Sequence, residues 1–166
     1  MAGEEYPELN GFAPSWADIT TTIDIIGGGT HVDIDYKALN WTSKLSFGEQ
    51  RGASGGRVIA QTTGSVKNEG SCEYYKSGLA KLIAALLPYA PRRGNQARIG
   101  LVRFNINIAH TPVGQIGVFR EKMRGCRLAG FESKMLEGDE PETVPMDLAP
   151  LECMFIGADG VEVVLL

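Results

Sequence analysis

The chain has little of what an enzyme, an exported protein or a membrane protein displays. It holds two histidines, His31 and His110, and neither stands at metal-ligand spacing from a cysteine. Its three cysteines, Cys72, Cys126 and Cys153, are odd in number and far apart, so they read as reduced thiols and not as a disulfide framework. No apolar run approaches the roughly 20 residues that cross a bilayer, and no membrane anchor is expected. The opening MAGEEYPELNGF lacks a basic region followed by an apolar stretch, so no export signal is expected either. A basic excess is missing as well: the net charge is -4, which speaks against a general nucleic-acid binder. No G-x-S-x-G, H-E-x-x-H or Walker signature occurs. Catalytic residues, metals and cofactors are therefore not expected.

Glycine is what the chain has in quantity. Eleven of its 21 glycines gather at 27–29, 48–56, 114 and 117, and 157 and 160, between stretches of apolar alternation. That is the punctuation of strands and turns. One domain, 1–166, is expected: mainly β, an antiparallel barrel or sandwich with a single flanking helix.

The helix is the firmest element. Tyr75, Leu79, Leu82, Ile83 and Leu86 recur at steps of three and four and so share one helical face, while Pro88 stops the run. These five are read as packing residues against a sheet. Ahead of them, Ile19, Thr21, Ile23 and Ile25 alternate as a half-buried strand, and Gly27–Gly29 is a turn. Val32, Ile34 and Tyr36 alternate on one parity and Leu39, Trp41, Ser43, Leu45 and Phe47 on the other, which predicts a bulge near Lys37. Residues 1–16 read as an extended arm. Gly48 to Thr63 reads as a long functional loop whose only apolar pair is Val58-Ile59.

Farther on, Arg98 to Ala109 reads as a strand with Val102, Phe104, Ile106 and Ile108 on one face. Val118 to Met135 reads as one long, kinked strand, and Glu137 to Glu142 as an acidic turn. Thr143 to Ile156 is a strand that Pro145 and Pro150 would place at an edge. Ala158-Asp159-Gly160 marks a hairpin before Val161, Val163 and Leu165.

Charged side chains offer two weak candidates. Asp33 and Asp35 lie two apart on a strand, and Arg120, Lys122 and Arg124 share a strand face. A solvated face or a subunit contact explains both sets better than acid–base work or a grip on phosphate. Unpaired strand edges in a small barrel point to assembly.

The order of these features resembles the tail tube proteins of bacteriophages, particularly those of contractile tails. The likeness rests on N-G-F-x-x-S-W-A-D-I (Asn10, Gly11, Phe12, Ser15 to Ile19), the aromatic strand around Trp41 and the Gly-rich segment. It continues in T-x-G-x-x-x-x-x-G-S-x-E-Y (Thr62, Gly64, Gly70, Ser71, Glu73, Tyr74), which runs into the helix, and it covers about residues 8–157. The resemblance implies hexameric rings stacked into a hollow tube, assembled in the host cytoplasm into the virion tail. The implied partners are copies of itself, the tail sheath, baseplate and terminator proteins, with DNA passing through the lumen without specific binding. On that reading Arg51, Arg57, Val58 and Ile59 join one ring to the next, and Arg120, Lys122, Arg124, Asp33 and Asp35 face a neighbour or the lumen. The alternatives are the tube of a related secretion or injection system, or a monomeric β-barrel that binds a ligand in its interior.

Overall fold

The computed structural model describes residues 19–33, 35–51, 58–110, 119–133, 141–157, 159–164 and 166. Two antiparallel sheets enclose the core. The first runs in the order β12-β11-β8-β7-β1-β2. Its strands are β1 (Ile19–Ile25), β2 (Thr30–Asp33), β7 (Phe104–His110), β8 (Phe119–Cys126), β11 (Glu152–Ile156) and β12 (Glu162–Val164). The second has the order β3-β4-β10-β9, from β3 (Tyr36–Arg51), β4 (Val58–Tyr75), β9 (Leu128–Phe131) and β10 (Thr143–Leu148). A small ribbon, β5 (Arg92–Arg93) with β6 (Gln96–Ala97), follows the helix α1 (Lys76–Leu86).

The alternation expected at Ile19–Ile25 is present: Thr21, Ile23 and Ile25 point into the core. Val102, Phe104, Ile106 and Ile108 do the same, although the strand begins at Phe104 and a short 3-10 turn occupies Ile99–Leu101. The second sheet answers with Tyr36, Cys72, Tyr74, Val144, Met146 and Leu148. Thr21 and Tyr36 place their hydroxyls 2.5 Å apart inside this core, so each satisfies the other.

The two sheets are not separate ribbons. Arg127 and Ala149 exchange backbone hydrogen bonds (3.3 and 2.9 Å), and the Leu151 N–H reaches the Arg124 carbonyl at 2.9 Å. The pair β8–β9 therefore stays bonded to the pair β11–β10 as both bend from one sheet into the other. The kink expected in 118–135 is this corner. Gly125 makes it possible at φ 64°, a left-handed conformation that costs glycine nothing.

Two expectations need correction. The Pro145 stretch is not at an edge: β10 lies between β4 and β9, and β11 lies between β8 and β12. Pro145 is tolerated because its carbonyl accepts from Glu132, so its N–H-less nitrogen faces the end of short β9, where the ladder stops. Gly48 to Thr63 is likewise not a patternless loop. Gly48, Glu49, Gln50 and Arg51 pair with Thr62, Gln61, Ala60 and Val58, and only 52–57 lie outside the described residues.

The helix lies across one end of the sandwich, against β2 of the first sheet and β4 and β10 of the second. Gly78, Leu82 and Leu86 are its buried stripe. A Cβ at Gly78 would lie 2.6 Å from the Asp35 carbonyl oxygen, so this close approach requires glycine. Of the five residues assigned to the packing face, Leu82 and Leu86 are in the core and Leu79 is packed against it. Tyr75 is the last residue of β4, and Ile83 is 37% exposed at the helix rim. The apolar arc is thus one step narrower than the spacing suggests, because the helix plugs an end and does not lie flat on a sheet.

Candidate functional site

Strands β3 and β4 run far past the sandwich. From Leu45 to Arg51 and back from Val58 to Lys67, every described side chain except that of Leu45 is exposed. Register shifts at Leu45/Phe47 and Gln50/Arg51 twist this ribbon, whose seven residues on one strand span about 20 Å. Phe47 (59% exposed), Val58 and Val66 face solvent on it. An isolated two-stranded ribbon is marginal in water, and apolar side chains on it are the mark of a docking arm. Of the residues assigned to an inter-ring contact, Arg51 and Val58 are ladder partners near the end of this ribbon, and Arg51 pairs with Glu49 at 3.1 Å. Arg57 and the Ile59 side chain lie outside the described residues.

The outer face of the second sheet holds a hollow of ≈ 710 Å³, lined by polar side chains such as Asn40, Thr42, Lys67, Glu69, Ser71 and Asp147 together with Trp41, Ala129 and Leu148. Two ion pairs lie on this face. Lys67 pairs with Glu69 at 2.6 Å and Lys37 with Glu73 at 3.5 Å. The Lys67 ammonium draws the Glu69 carboxyl below its ordinary value. The Thr143 hydroxyl, donating at 2.5 Å, is the main reason that Glu73 is lowered too.

The outer face of the first sheet holds Arg120, Lys122 and Arg124, which share a face of β8 as the sequence suggests. Acidic residues on the neighbouring strands answer two of them: Lys122 meets Glu162 at 2.9 Å, and Arg124 meets Glu152 at 3.5 Å. The Lys122 ammonium lowers the Glu162 carboxyl. Asp33 and Asp35 do not join this set. Asp33 is at the end of β2 opposite Thr21, its side chain outside the described residues. Asp35 serves the helix: it pairs with Lys81 and takes the Tyr75 N–H on its carbonyl. The five charged candidates therefore divide between an ion-paired sheet face and the β2–β3 junction.

Nothing in the described residues assembles a reactive centre. Trp41 donates to Glu121 at 3.5 Å, and His110, the last residue of β7, stands 4.0 Å from the same carboxylate. All three cysteines are buried, and burial pushes the Cys126 thiol up to about 12, which removes thiolate reactivity at neutral pH. Among the described residues no group of His, Cys, Asp and Glu gathers as a metal site, and no helix is long and apolar enough to cross a membrane.

One feature escapes sequence reading. Leu79, Ile83, Ile99, Leu128, Phe131 and Met146 line an apolar groove of ≈ 380 Å³ between the helix, the 3-10 turn and the edge strand β9. Phe131, 76% exposed, stands at its lip. The exposed Phe131 beside a short edge strand is the signal, but the groove joins four segments that are distant in sequence.

No protein-family model matches the chain, and no curated protein matches it. Solved structures do match in fold. One is the six-fold symmetrised baseplate of the anti-feeding prophage: TM-score 0.58, 11% identity, 84% of this chain and 93% of that one. A second is the sheath–tube complex of PVC, an extracellular contractile injection system, in its extended state: TM-score 0.55, 10% identity, 82% and 88%. A third is the SPP1 tail tube: TM-score 0.53, 17% identity, 87% and 80%. The chain shares the tail-tube fold.

Proposed function

We propose that this chain is the structural subunit of a tube, closing into six-membered rings that stack into a hollow shaft. The observation that carries the reading is the fold, shared over most of the chain with tube and baseplate components. The projecting β3–β4 ribbon adds to it, since a monomer has no use for so long an arm with bare apolar side chains.

A ring requires a heterologous contact whose rotation closes, and a shaft requires a second one that stays open. The free edges β3 and β9 of the second sheet supply the first. The ribbon, with Arg51 and Val58 near its end, supplies the second. The hollow outer face of the second sheet then turns toward the bore. Two of its lysines are paired with carboxylates, Lys67 with Glu69 and Lys37 with Glu73, which weakens its grip on a passing polyanion, and DNA slides without being held. Arg120, Lys122 and Arg124 lie on the opposite, outer wall, the last two paired with acids.

The first test replaces Arg51–Gln61 with a short Gly-Ser connection. The monomer keeps its circular dichroism spectrum, rings still form, and electron micrographs show no long tubes. Normal tubes from the shortened protein would discard the ribbon as the stacking element. A wild-type protein that sediments as a sharp monomer at high concentration would favour the ligand-binding barrel instead.

The injection-system tube is the nearest rival, because one of the three structures described is the sheath–tube complex of an extracellular contractile injection system. Its tube would carry a cargo other than a tail's DNA. A filter-binding assay on assembled tubes gives no salt-sensitive affinity for duplex DNA under either reading. Only the genome content of purified particles separates them.

A further inference from the structure

Acidic residues are absent from Tyr74 to Arg120, a stretch that carries Lys76, Lys81, Arg92, Arg93, Arg98, Arg103 and Arg120 in a chain of net charge -4. Lys76 and Lys81 are answered by Glu142 and Asp35. Arg92, Arg93, Arg98 and Arg103 are exposed and make no ion pair among the described residues. The topology brings them to one end of the molecule. Arg92 and Arg93 form β5, Arg98 bonds through its N–H to the Pro91 carbonyl, and Arg103 accepts from Ile26 at the end of β1. The apolar groove adjoins this cluster, because Ala97, Ile99 and Gly100 on its wall flank Arg98 in sequence. An apolar groove bordered by guanidinium groups that have no acidic partner among the described residues suits a partner that is both acidic and aromatic.

The chain contains such a segment. Residues 1–18 hold Glu4, Glu5, Glu8 and Asp18 with no lysine or arginine, interleaved with Tyr6, Leu9, Phe12 and Trp16. They lie outside the described residues, and they join the fold at Ile19, where β1 pairs with His110. That is the opposite end of β1 from Ile25, which pairs with Phe104 beside Arg103. Head-to-tail stacking brings the start of one chain up to the arginine end of the next, whereas within one molecule the arm must fold back along the whole of β1, about 20 Å. Extended, 18 residues reach roughly 60 Å, ample for the gap between rings.

We infer that the acidic, aromatic N-terminal segment of one copy docks on the Arg92–Arg93–Arg98–Arg103 end and apolar groove of a second copy stacked on it. The carboxylates meet the guanidinium groups, and one or more of Tyr6, Phe12 and Trp16 fills the groove beside Ile83 and Phe131. This inference rests on the tube reading for its geometry, but not for its chemistry.

A charge exchange between full-length variants tests it. Glu4→Lys/Glu5→Lys/Glu8→Lys forms rings that do not elongate, Arg92→Glu/Arg93→Glu/Arg98→Glu does the same, and the chain carrying all six changes elongates again in electron micrographs. Rods from either single set, or no recovery in the combined chain, would overturn the contact. If the wild-type chain makes neither rings nor rods, the tube reading fails, and the contact is then judged by binding alone. The arm-reversed full-length protein keeps the arginine end intact. A fluorescent peptide of wild-type residues 1–17 binds it, and binding falls about tenfold or more when Arg92→Glu/Arg93→Glu is added and weakens steeply with salt. Equal binding to both proteins overturns the inference. So does a short DNA duplex that binds the arginine end more tightly than the peptide, which would make it a phosphate site.

Discussion

The two halves of the β3–β4 hairpin are built from the same pair of strands and have opposite fates. In the proximal half Tyr36, Cys72 and Tyr74 are buried and Leu39 and Trp41 pack against them, under the plug of Leu82 and Leu86. In the distal half Phe47, Val58 and Val66 stand in water. Backbone pairing continues through both, so hydrogen bonds do not distinguish them. Burial does. A ladder persists wherever register allows, but only a covered face contributes the roughly 1.5–3 kcal/mol per large apolar side chain that holds a domain together. The proximal half is held by the core, and the distal half adds no buried face to it.

The largest expected effect lies on the buried side of that contrast. Leu82 is 1% exposed in the plug, and Leu82→Asp places a carboxylate in a stripe whose other buried members are Gly78 and Leu86. The penalty is several kcal/mol, a large part of the stability of a domain this size, and the variant should be insoluble or unfolded by circular dichroism. A soluble Leu82→Asp protein with a native spectrum would show that the helix end is no more essential than the ribbon, and the contrast would collapse.

The same contrast decides what the sequence reveals. Where a face is buried, its period is written in the residues: Ile19–Ile25, Val102–Ile108 and the Leu79–Leu82–Leu86 stripe are all legible. So is the parity change near Lys37, which appears as the register shift between Tyr36 and Ala38. In the distal ribbon neither face is covered, glycine and polar residues suffice on both, and no alternation marks the strands of 48–63. Long-range matters were hidden as well. That β10 is central and β9 is the edge depends on which strands meet, and local propensity carries no information about that. The groove and the arginine end are assembled from segments that no window spans. The three basic candidates share a face of β8, as their spacing suggests, while Asp35 is engaged by Lys81 at the helix, a contact between distant segments that spacing does not encode.

Titration gives a second, intermediate effect. Cys126 is wholly buried at the corner of the sheets, and burial raises its thiol from 9.0 to about 12. A raised folded pKa means that the unfolded thiol ionises first. The stability tied to the neutral thiol is therefore fully present below about pH 9 and is lost progressively as pH rises from 9 toward 12. The slope is at most about 1.4 kcal/mol per pH unit. Denaturant midpoints measured across pH 8–11 should fall in the wild type and fall less in Cys126→Ala, once its lower starting stability is subtracted. By contrast Lys67 and Glu69, on the ribbon side and unburied, should leave no such trace in high salt. Equal slopes in wild type and Cys126→Ala would mean that the corner opens to water as readily as the ribbon does.

The smallest expected effect sharpens the comparison most. Phe47 is a large aromatic residue, yet it is 59% exposed beyond the last core layer of β3. Phe47→Ser removes apolar surface that the monomer leaves largely in water, so its unfolding free energy should move by no more than about 0.5 kcal/mol. A phenylalanine in the core such as Phe104, 1% exposed, would cost roughly 3–5 kcal/mol on truncation. If the ribbon is an arm for a neighbour, the energy missing from the monomer must appear on assembly, where covering an aromatic ring contributes a few kcal/mol per contact. Thermal unfolding of dilute Phe47→Ser protein should then match wild type, while the concentration needed for tubes rises at least about tenfold, as sedimentation reads it. A Phe47→Ser monomer that melts as early as a core variant would mean the ribbon folds with the sandwich as one cooperative unit. Unchanged monomer stability with unchanged assembly would leave Phe47 a passive surface residue and remove the ribbon's apolar face from the stacking contact.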